Sequence, residues 1–228
     1  ISPAEAAAMD PQQRVLLERG YQALAESGMS KATLEDSGTG VFIGIQALDF
    51  QEVLATIPAS SSVYAATGSA HAIACGRVSF ALGLQGACAS YDTACSAGLV
   101  ATHAATSALV LNECITALAA GVNLMLSYAV CVGAAIAGMT SVLGRCHTLD
   151  ARADGYARSE ACCAVVVSQG ENEGISRRAS VLCGSAVRQD GRSASLTAPS
   201  GQAQLALSMA TRVGTGSNLL GCVELHGT

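Results

Sequence analysis

The sequence has little charge and no basic cluster. Only 13% of its 228 residues are charged, and the formal net charge is -5. The twelve Lys and Arg residues are scattered, and Arg177-Arg178 is the only adjacent pair. Proteins that bind duplex nucleic acid concentrate positive charge on one face or along one helix. The composition therefore argues against a nucleic-acid partner.

Signals for secretion and membrane insertion are also absent. The chain starts at Ile1 without a basic segment, and its longest apolar stretch, around Leu118 to Met139, is broken by two glycines, an asparagine and a serine. These features predict no membrane span and no export. The chain also lacks an initial Met and stops at Gly227-Thr228, directly after a strand-like run, so we expect a fragment of a longer protein.

The ten cysteines and four histidines do not form a known metal-binding motif. No C-x-x-C pair and no H-E-x-x-H occurs, which argues against zinc. The cysteines fall in apolar segments without the spacing of a disulfide module. We interpret them as small buried hydrophobes of a reducing compartment, either cytoplasm or an organellar stroma, and not of a secreted protein.

Apolar residues and glycine are abundant. Half of the residues are apolar and 24 are glycine, which permits a sizeable core and excludes disorder. The length fits one large domain or two small ones.

Hydrophobic spacing predicts strands alternating with helices. Helical spacing starts at Pro11, capped by Asp10 and ended by Gly28, while short apolar runs with β-branched residues predict buried strands. The predicted helices are 11–27, 67–82, 96–111 and 199–212. The predicted strands are 41–45, 87–93, 115–126, 162–168, 181–187 and 219–225. Strands that are apolar on both faces indicate an α/β fold with a mainly parallel or mixed sheet.

Cys95 lies between a predicted strand and an Ala-rich helix, in the run Asp92-Thr93-Ala94-Cys95. A thiol at a helix N-terminus is favoured as a thiolate, although the helix contributes only about 0.3–1 kcal/mol. A free cysteine near pKa ~8.5 therefore still needs a histidine partner or a reactive thioester. Local layout leaves two interpretations open, a nucleophile or a small core residue such as Cys75, Cys88, Cys114, Cys131, Cys183 and Cys222.

The histidines near Cys95 in sequence do not supply that partner. His103 is eight residues further on, about 12 Å along a helix at 1.5 Å per residue. His71 lies on another predicted helix, and we interpret both as packed structural residues. His147 lies in a polar loop, where a surface role is expected.

Motifs along nearly the whole chain resemble the ketosynthase domain of type I polyketide synthases, a member of the thiolase-like condensing enzymes. Each motif alone is weak, whereas their order is specific. In chain order they are ISP at 1–3, AAAMDPQQR at 6–14, DTACSA at 92–97, GVNLML at 121–126, GRC at 144–146, DGYAR at 154–158, GSAV at 184–187, QDGRS at 189–193, LTAP at 196–199 and VELHGT at 223–228.

The resemblance implies a thiolase-like layered α-β-α-β-α fold. Residues 1 to about 175 would form its N-terminal half, and about 176–228 the start of its C-terminal half. The family's opening strand and its later lysine, second histidine and glycine-rich segment have no counterpart here.

The resemblance also implies residue roles. Cys95 would accept an acyl group from a carrier-protein or coenzyme A thioester, and its backbone N–H would form one arm of an oxyanion hole. His226 would be one of two histidines that assist decarboxylation of a malonyl-type extender. Thr228 would bind the phosphopantetheine arm of the acyl carrier protein. No cofactor would be bound by this chain, and the complete domain would be a homodimer.

Several positions depart from the family pattern. Ser159-Glu160-Ala161 stands where the family has G-E-G, and Leu225 stands where Ala is usual beside His226. Ser96-Ala97-Gly98 replaces a run of serines, and His147 replaces a lysine. These changes bear on rate and substrate fit. The charged residues around them, namely Asp150, Arg152, Asp154, Arg158 and Glu160, are predicted to be structural residues near the site.

We therefore expect a β-ketoacyl synthase fragment that performs decarboxylative Claisen condensation in its complete form. Three alternatives differ from it. A fatty acid synthase would differ in product, a thiolase would differ in its downstream catalytic pattern, and a truncated dimerising or docking module would have no activity. A stop codon after Thr228 would favour the docking module.

The truncation itself gives a prediction. Residues 1–228 produced alone should aggregate or remain partly unfolded, because the edge of a half-sheet stays unpaired. Size-exclusion chromatography and thermal melting test this. A monodisperse monomer that melts cooperatively would contradict it.

Overall fold

The computed structural model describes residues 1–169, 180–196, 198–212, 222–224 and 226. The chain divides into two units, which lie within Ile1–Ser176 and Arg177–His226. The first contains all four strands and eight of the nine α-helices found in the described residues. The second contains one helix, α9 (Gly201–Arg212).

The described residues of the first unit form eight α-helices and four strands. The helices are α1 (Pro3–Ala8), α2 (Pro11–Glu26), α3 (Lys31–Leu34), α4 (Asp49–Ala55), α5 (Ala65–Ser69), α6 (His71–Leu82), α7 (Ala97–Val110) and α8 (Tyr128–Ile136), with a 3-10 turn at Pro58–Ser61. The strands are β1 (Gly40–Ile45), β2 (Cys88–Tyr91), β3 (Thr116–Asn123) and β4 (Ala161–Ser168).

The strands form one mixed sheet in the order β2-β1-β3-β4. β1 lies parallel to both β2 and β3, whereas β4 lies antiparallel to β3. The three parallel strands therefore end at one edge of the sheet, with Gly44 opposite both Tyr91 and Gly121. The expected α/β fold with a mixed sheet is confirmed.

Helices cover both faces of the sheet. On one face the odd residues of β1 and the even residues of β3 pack against α2 and α6 in a cluster that includes Leu16, Ile43 and Leu118. On the opposite face α7 packs through alanines onto Phe42, Ala117 and Ala119. The alternation of side chains along a strand divides the core into these two layers.

Local signals place the ends of two helices. The Asp10 carboxylate accepts the Gln12 N–H at 2.8 Å, and Pro11 occupies the first turn of α2. Gly83 ends α6 in the left-handed conformation with φ +70°. Helices α2 and α7 and strand β1 occur as predicted.

The helix predicted at 67–82 is interrupted. Ala70 is extended, with φ -78° and ψ 126°, and separates α5 from α6. The side chain of Gln13, on α2, donates to the carbonyls of Thr67 and Ala70 at 3.3 and 3.4 Å. These bonds stabilise the extended conformation at Ala70. The interruption depends on this tertiary contact, which hydrophobic spacing does not reveal.

Other predicted elements also differ. Residues 181–187 form no strand. The strand predicted at 115–126 ends at Asn123, and α8, which was not predicted, follows. The prediction of buried strands is confirmed for β1 and wrong for edge strands β2 and β4, which are partly exposed. Most of the strand predicted at 219–225 lies outside the described residues, and Cys222–Glu224 show no strand structure.

The cysteines correct a further prediction. All ten are free thiols, but only Cys75 and Cys114 are buried. Cys88 is exposed because it lies on edge strand β2, and Cys183 and Cys222 are exposed in residues outside helices and strands. Among the described helices, none has the length and hydropathy needed to cross a bilayer.

Asp10 gives the fold a pH dependence. Its carboxyl is 2% exposed, and burial raises its pKa above the ordinary value despite hydrogen bonds from Gln12 and the nearby His71. A raised folded-state pKa means that the stabilising contribution is present below about pH 4 and is lost as pH rises through the folded pKa.

We predict that Asp10→Asn removes this loss and keeps an N-cap. Relative to the wild type, the free energy of unfolding of the variant should therefore increase as pH rises above about 4, as measured by denaturant unfolding of the intact protein. Asp150→Asn is the control. Asp150 is held by Arg152, which lowers its pKa, so its exposed pair contributes a small effect of opposite sign. Parallel pH profiles for the wild type and Asp10→Asn would refute the prediction.

Candidate active site at the carboxyl edge of the sheet

A tight turn connects β2 to α7 and carries Cys95. Asp92 Oδ1 accepts the Ala94 N–H at 3.1 Å, and Ser96 Oγ donates to the Thr93 carbonyl at 2.8 Å. Ala94 has φ +52°, a conformation that few residues other than glycine adopt. These bonds hold a strained turn that reverses the chain between strand and helix.

Cys95 is exposed and lies two residues before the start of α7. The first N–H groups of an α-helix have no partner within the helix and favour negative charge nearby. A thiolate or an oxyanion at this place would gain from those groups. The local geometry is suited to nucleophilic chemistry.

Glycine allows α7 to approach the sheet at this point. A Cβ on Gly44 would lie 2.5 Å from the Ala97 carbonyl carbon and the Gly98 nitrogen. A Cβ on Gly121 would lie 3.4 Å from the Gly98 Cα. The first turn of α7 therefore rests on the backbone of β1 and β3, three residues from Cys95.

Beyond β1, the same edge carries buried polar groups. The Ala47 carbonyl accepts Gln12 Nε2 at 3.1 Å and forms a 3.0 Å hydrogen bond with His71 Nε2. Gln12 Nε2 also donates to Asp10 Oδ2 at 3.1 Å. His71 is thus a satisfied structural residue at the start of α6, as expected.

Beyond β3, side chains accept the backbone donors of Leu124–Ser127, the post-β3 segment. Asp49 is 1% exposed, and its Oδ2 accepts the N–H groups of Leu126 at 3.0 Å and Ser127 at 2.9 Å. The Ser127 hydroxyl donates to Glu52. Among the described residues, none satisfies Asp49 Oδ1, although this atom is buried.

The charged loop before β4 contributes to the same region. Glu160 Oε1 accepts the Met125 N–H at 2.8 Å, and Arg158 Nη1 donates to Cys131 Sγ at 3.1 Å. Asp150 pairs with Arg152 at 2.7 Å on the surface. Glu160 therefore contacts the post-β3 segment, whereas the Asp150 pair is local to its loop.

The three predicted site residues have different placements. Cys95 lies in the unit within Ile1–Ser176, and His226 is exposed in the unit within Arg177–His226. Thr228 and Leu225 lie outside the described residues. The roles of Cys95, His226 and Thr228 stay predictions.

The remaining histidines and thiols do not take part in the turn. His103 lies within α7, as predicted, and His147 lies in the loop before β4. Burial raises the pKa of the Cys114 and Cys162 thiols, which keeps them protonated at neutral pH. In the described residues no group of three or more His, Cys, Asp or Glu could hold a metal ion.

Sequence reasoning did not find Asp49 and Glu52. Asp49 follows the buried strand β1, and polar residues after the carboxyl ends of parallel strands often face a site. The position of Asp49 after β1 was therefore the sequence signal that could have identified it as a site residue. Gln12 was noted only as part of a motif, and its bonds to Asp10, Ala47 and Leu124 give it a structural basis.

Gly44 gives a test of this geometry. Gly44→Ala should displace the first turn of α7, lower the free energy of unfolding by about 1–3 kcal/mol and change the alkylation rate of Cys95. In the intact protein, denaturant unfolding measures the stability change and mass spectrometry after iodoacetamide treatment measures the alkylation rate.

Gly133→Ala is the matched control, because a Cβ there meets nothing within 4 Å inside helix α8. In that variant the free energy of unfolding should increase by about 0.5–1 kcal/mol, and the alkylation rate of Cys95 should stay unchanged. Equal stability and equal alkylation in the two variants would rule out the proposed close contact.

Known proteins match this chain in sequence and in fold. Residues 1–173 match the family described as beta-ketoacyl synthase, N-terminal domain. The chain is 42% identical over 233 residues to one component of the phenolphthiocerol/phthiocerol polyketide synthase of Mycobacterium tuberculosis, with all of this chain and 15% of that protein covered. A second component of the synthase from the same species is 42% identical over 237 residues, with 11% of its length covered.

Solved structures show the same fold. A ketosynthase from module 6 of the bacillaene synthase of Bacillus subtilis 168 superposes with a TM-score of 0.82 at 33% identity, covering 95% of this chain and 37% of that one. An oxazolomycin ketosynthase domain from Streptomyces albus gives 0.84 at 29% identity, covering 95% and 39%. The chain thus spans a minor part of each of these relatives.

Proposed function

The chain belongs to the beta-ketoacyl synthase family as part of a ketosynthase domain of the polyketide synthase type, and on this premise we propose that Cys95 is its acyl-accepting nucleophile. The exposed thiol at the strained turn before α7 supports this most directly. The ordered motifs around Cys95 support it as well.

In the first half-reaction the Cys95 thiolate attacks the carbonyl carbon of an acyl thioester. A carbon–sulfur bond forms to Cys95, and the carrier or coenzyme A thiolate leaves and takes up a proton. The Cys95 N–H, two residues before α7, is one donor to the tetrahedral oxyanion. The arm that delivers the acyl group belongs to the acyl carrier protein and not to this chain.

In the second half-reaction a malonyl-type extender loses carbon dioxide to give an enolate. The enolate carbon attacks the acyl group on Cys95, a carbon–carbon bond forms, and the Cys95 thiolate leaves. His226 hydrogen-bonds the developing negative charge, with a second histidine supplied by the complete domain. Thr228 binds the phosphopantetheine arm, the working enzyme is a homodimer, and residues 1–228 alone are inactive.

The similarity to components of polyketide synthases favours polyketide over fatty acid assembly. Residues 1 to about 175 are the N-terminal half of the domain in this proposal, and about 176–228 begin its C-terminal half. A docking module without activity is the alternative that the following experiment separates.

The experiment follows acyl transfer on the intact protein. Incubation with an acyl thioester, digestion and mass spectrometry should place one acyl group on Cys95, and Cys95→Ala should abolish that label. Cys146→Ala, which removes another exposed thiol, should retain it. Acylation that persists without Cys95, or an intact protein that never acylates, would overturn the proposal.

A further inference from the structure

Two cysteines lie on facing elements of the unit that contains the sheet. Cys88 belongs to edge strand β2 and pairs in register with Val41 of β1. Residues that pair across a parallel ladder direct their side chains to the same face of the sheet. Val41 packs in the cluster that contains Cys75 of α6, and α6 also packs on β2. The side chain of Cys88 therefore faces the helix that carries Cys75.

The two thiols are in contact. The Cys75 thiol donates to the Ala72 carbonyl at 3.5 Å, and its sulfur accepts the thiol proton of Cys88. A disulfide needs two sulfur atoms that can close to about 2.05 Å from side chains whose Cβ atoms are about 3.8 Å apart. Thiols that already touch across packed elements need only small side-chain rotations to reach that geometry.

Solvent access differs between the two members of the pair. Cys88 is exposed, whereas Cys75 is buried beneath it. A dissolved oxidant therefore meets Cys88 first, and the second thiol waits behind it, out of reach of that oxidant. An exposed thiol next to a second thiol is the arrangement in which oxidation stops at a disulfide.

We propose that Cys75 and Cys88 form an oxidation site, which a hydroperoxide converts to a disulfide that ties edge strand β2 to α6. The inference does not depend on the proposed function, because neither thiol takes part in it. Strand β2 leads directly into the turn that carries Cys95, so the cross-link fixes the strand from which that turn begins.

The reaction has two steps. The Cys88 sulfur attacks one oxygen of the hydroperoxide, the O–O bond breaks, and the other oxygen leaves with the thiol proton as water or an alcohol, so that Cys88 becomes a sulfenic acid. The Cys75 sulfur then attacks the Cys88 sulfur, the S–S bond forms, and the hydroxide leaves with the Cys75 proton as water. A small-molecule thiol restores both cysteines by thiol–disulfide exchange.

The surroundings of Cys88 set the rate of the first step. Removal from water raises the pKa of its thiol above the ordinary value, and the neighbouring Cys75 raises it further. Because the thiolate is the attacking species, oxidation is slow at neutral pH and is best followed at about pH 9. The pair therefore stays reduced under brief exposure and responds to sustained exposure to peroxide.

The sequence allows the cross-link to be mapped without ambiguity. Arg77 is the only Lys or Arg between the two cysteines, so trypsin places them in separate peptides. Chymotrypsin cuts after Tyr91 and separates Cys88 from Cys95. A disulfide between Cys75 and Cys88 therefore joins two peptides of known mass, neither of which contains Cys95.

The experiment treats the intact protein with hydrogen peroxide at about pH 9, blocks the remaining thiols with N-ethylmaleimide and maps the digested peptides by mass spectrometry. We expect the link between Cys75 and Cys88 to exceed any other pairing of Cys88 by about tenfold, because the contact holds the two sulfur atoms at a high effective concentration. Dithiothreitol should remove the link.

The chain supplies matched controls. Cys162 and Cys163 are adjacent in sequence but point to opposite faces of β4, so they should not form a disulfide with each other. Cys88→Ser and Cys75→Ala should each abolish the link and keep acylation of Cys95, which shows that the variants fold. Cys163→Ser, which removes another exposed thiol, should retain the link.

Three results would overturn the proposal. The first is a Cys88 that advances to sulfinic acid while Cys75 remains available to N-ethylmaleimide. The second is a pair that stays reduced after the exposed Cys183 has been fully oxidised. The third is the same distribution of pairings in protein oxidised in urea, since the link would then owe nothing to the fold.

Discussion

The first turn of α7 rests against the backbone of β1 because position 44 is glycine, where a Cβ would lie 2.5 Å from the Ala97 carbonyl carbon. No other residue permits main chain to approach main chain so closely there. The contact fixes the end of the β2–α7 turn, and the Asp92 and Thr93 bonds fix its beginning. The position of Cys95 depends on both.

Polar side chains organise the rest of this sheet edge. Asp10 and Asp49 are buried among other polar groups, and their carboxylates accept backbone N–H groups. Burial raises the pKa of the Asp10 carboxyl, because removal from water disfavours its charged form. These buried carboxylates therefore lower the stability of the fold while they fix the loops at this edge of the sheet. Such a combination is typical of functional sites.

The sequence predicted those features that depend on local pattern. β1 and β3 are buried apolar runs, and α2 has a cap, a proline at its start and helical spacing. The turn at Cys95 and the α/β order followed from the same signals, and the motifs identified the family. The confirmed helices and strands are those whose conformation is determined by residues close to them in the sequence.

The features that were missed depend on contacts between distant residues. The break at Ala70 uses Gln13 on α2, and the end of β3 at Asn123 is followed by bonds to Gln12 and Asp49, residues 112 and 77 positions away from their partners. The exposed Cys88 reflects an edge position in the sheet, which no single strand reveals. Hydrophobic periodicity carries none of this information.

In the post-β3 segment, different residues determine the path of the main chain and the chemistry of the side chains. The route of the main chain is encoded by Gln12, Asp49 and Glu160, while the chemistry of the surface is encoded by Leu124, Met125 and Leu126 themselves. Substitution of one of these three apolar residues changes the side-chain chemistry of the segment and leaves the main-chain path unchanged. A side-chain substitution at Leu124, Met125 or Leu126 therefore leaves the backbone N–H group of that residue and its acceptor in place.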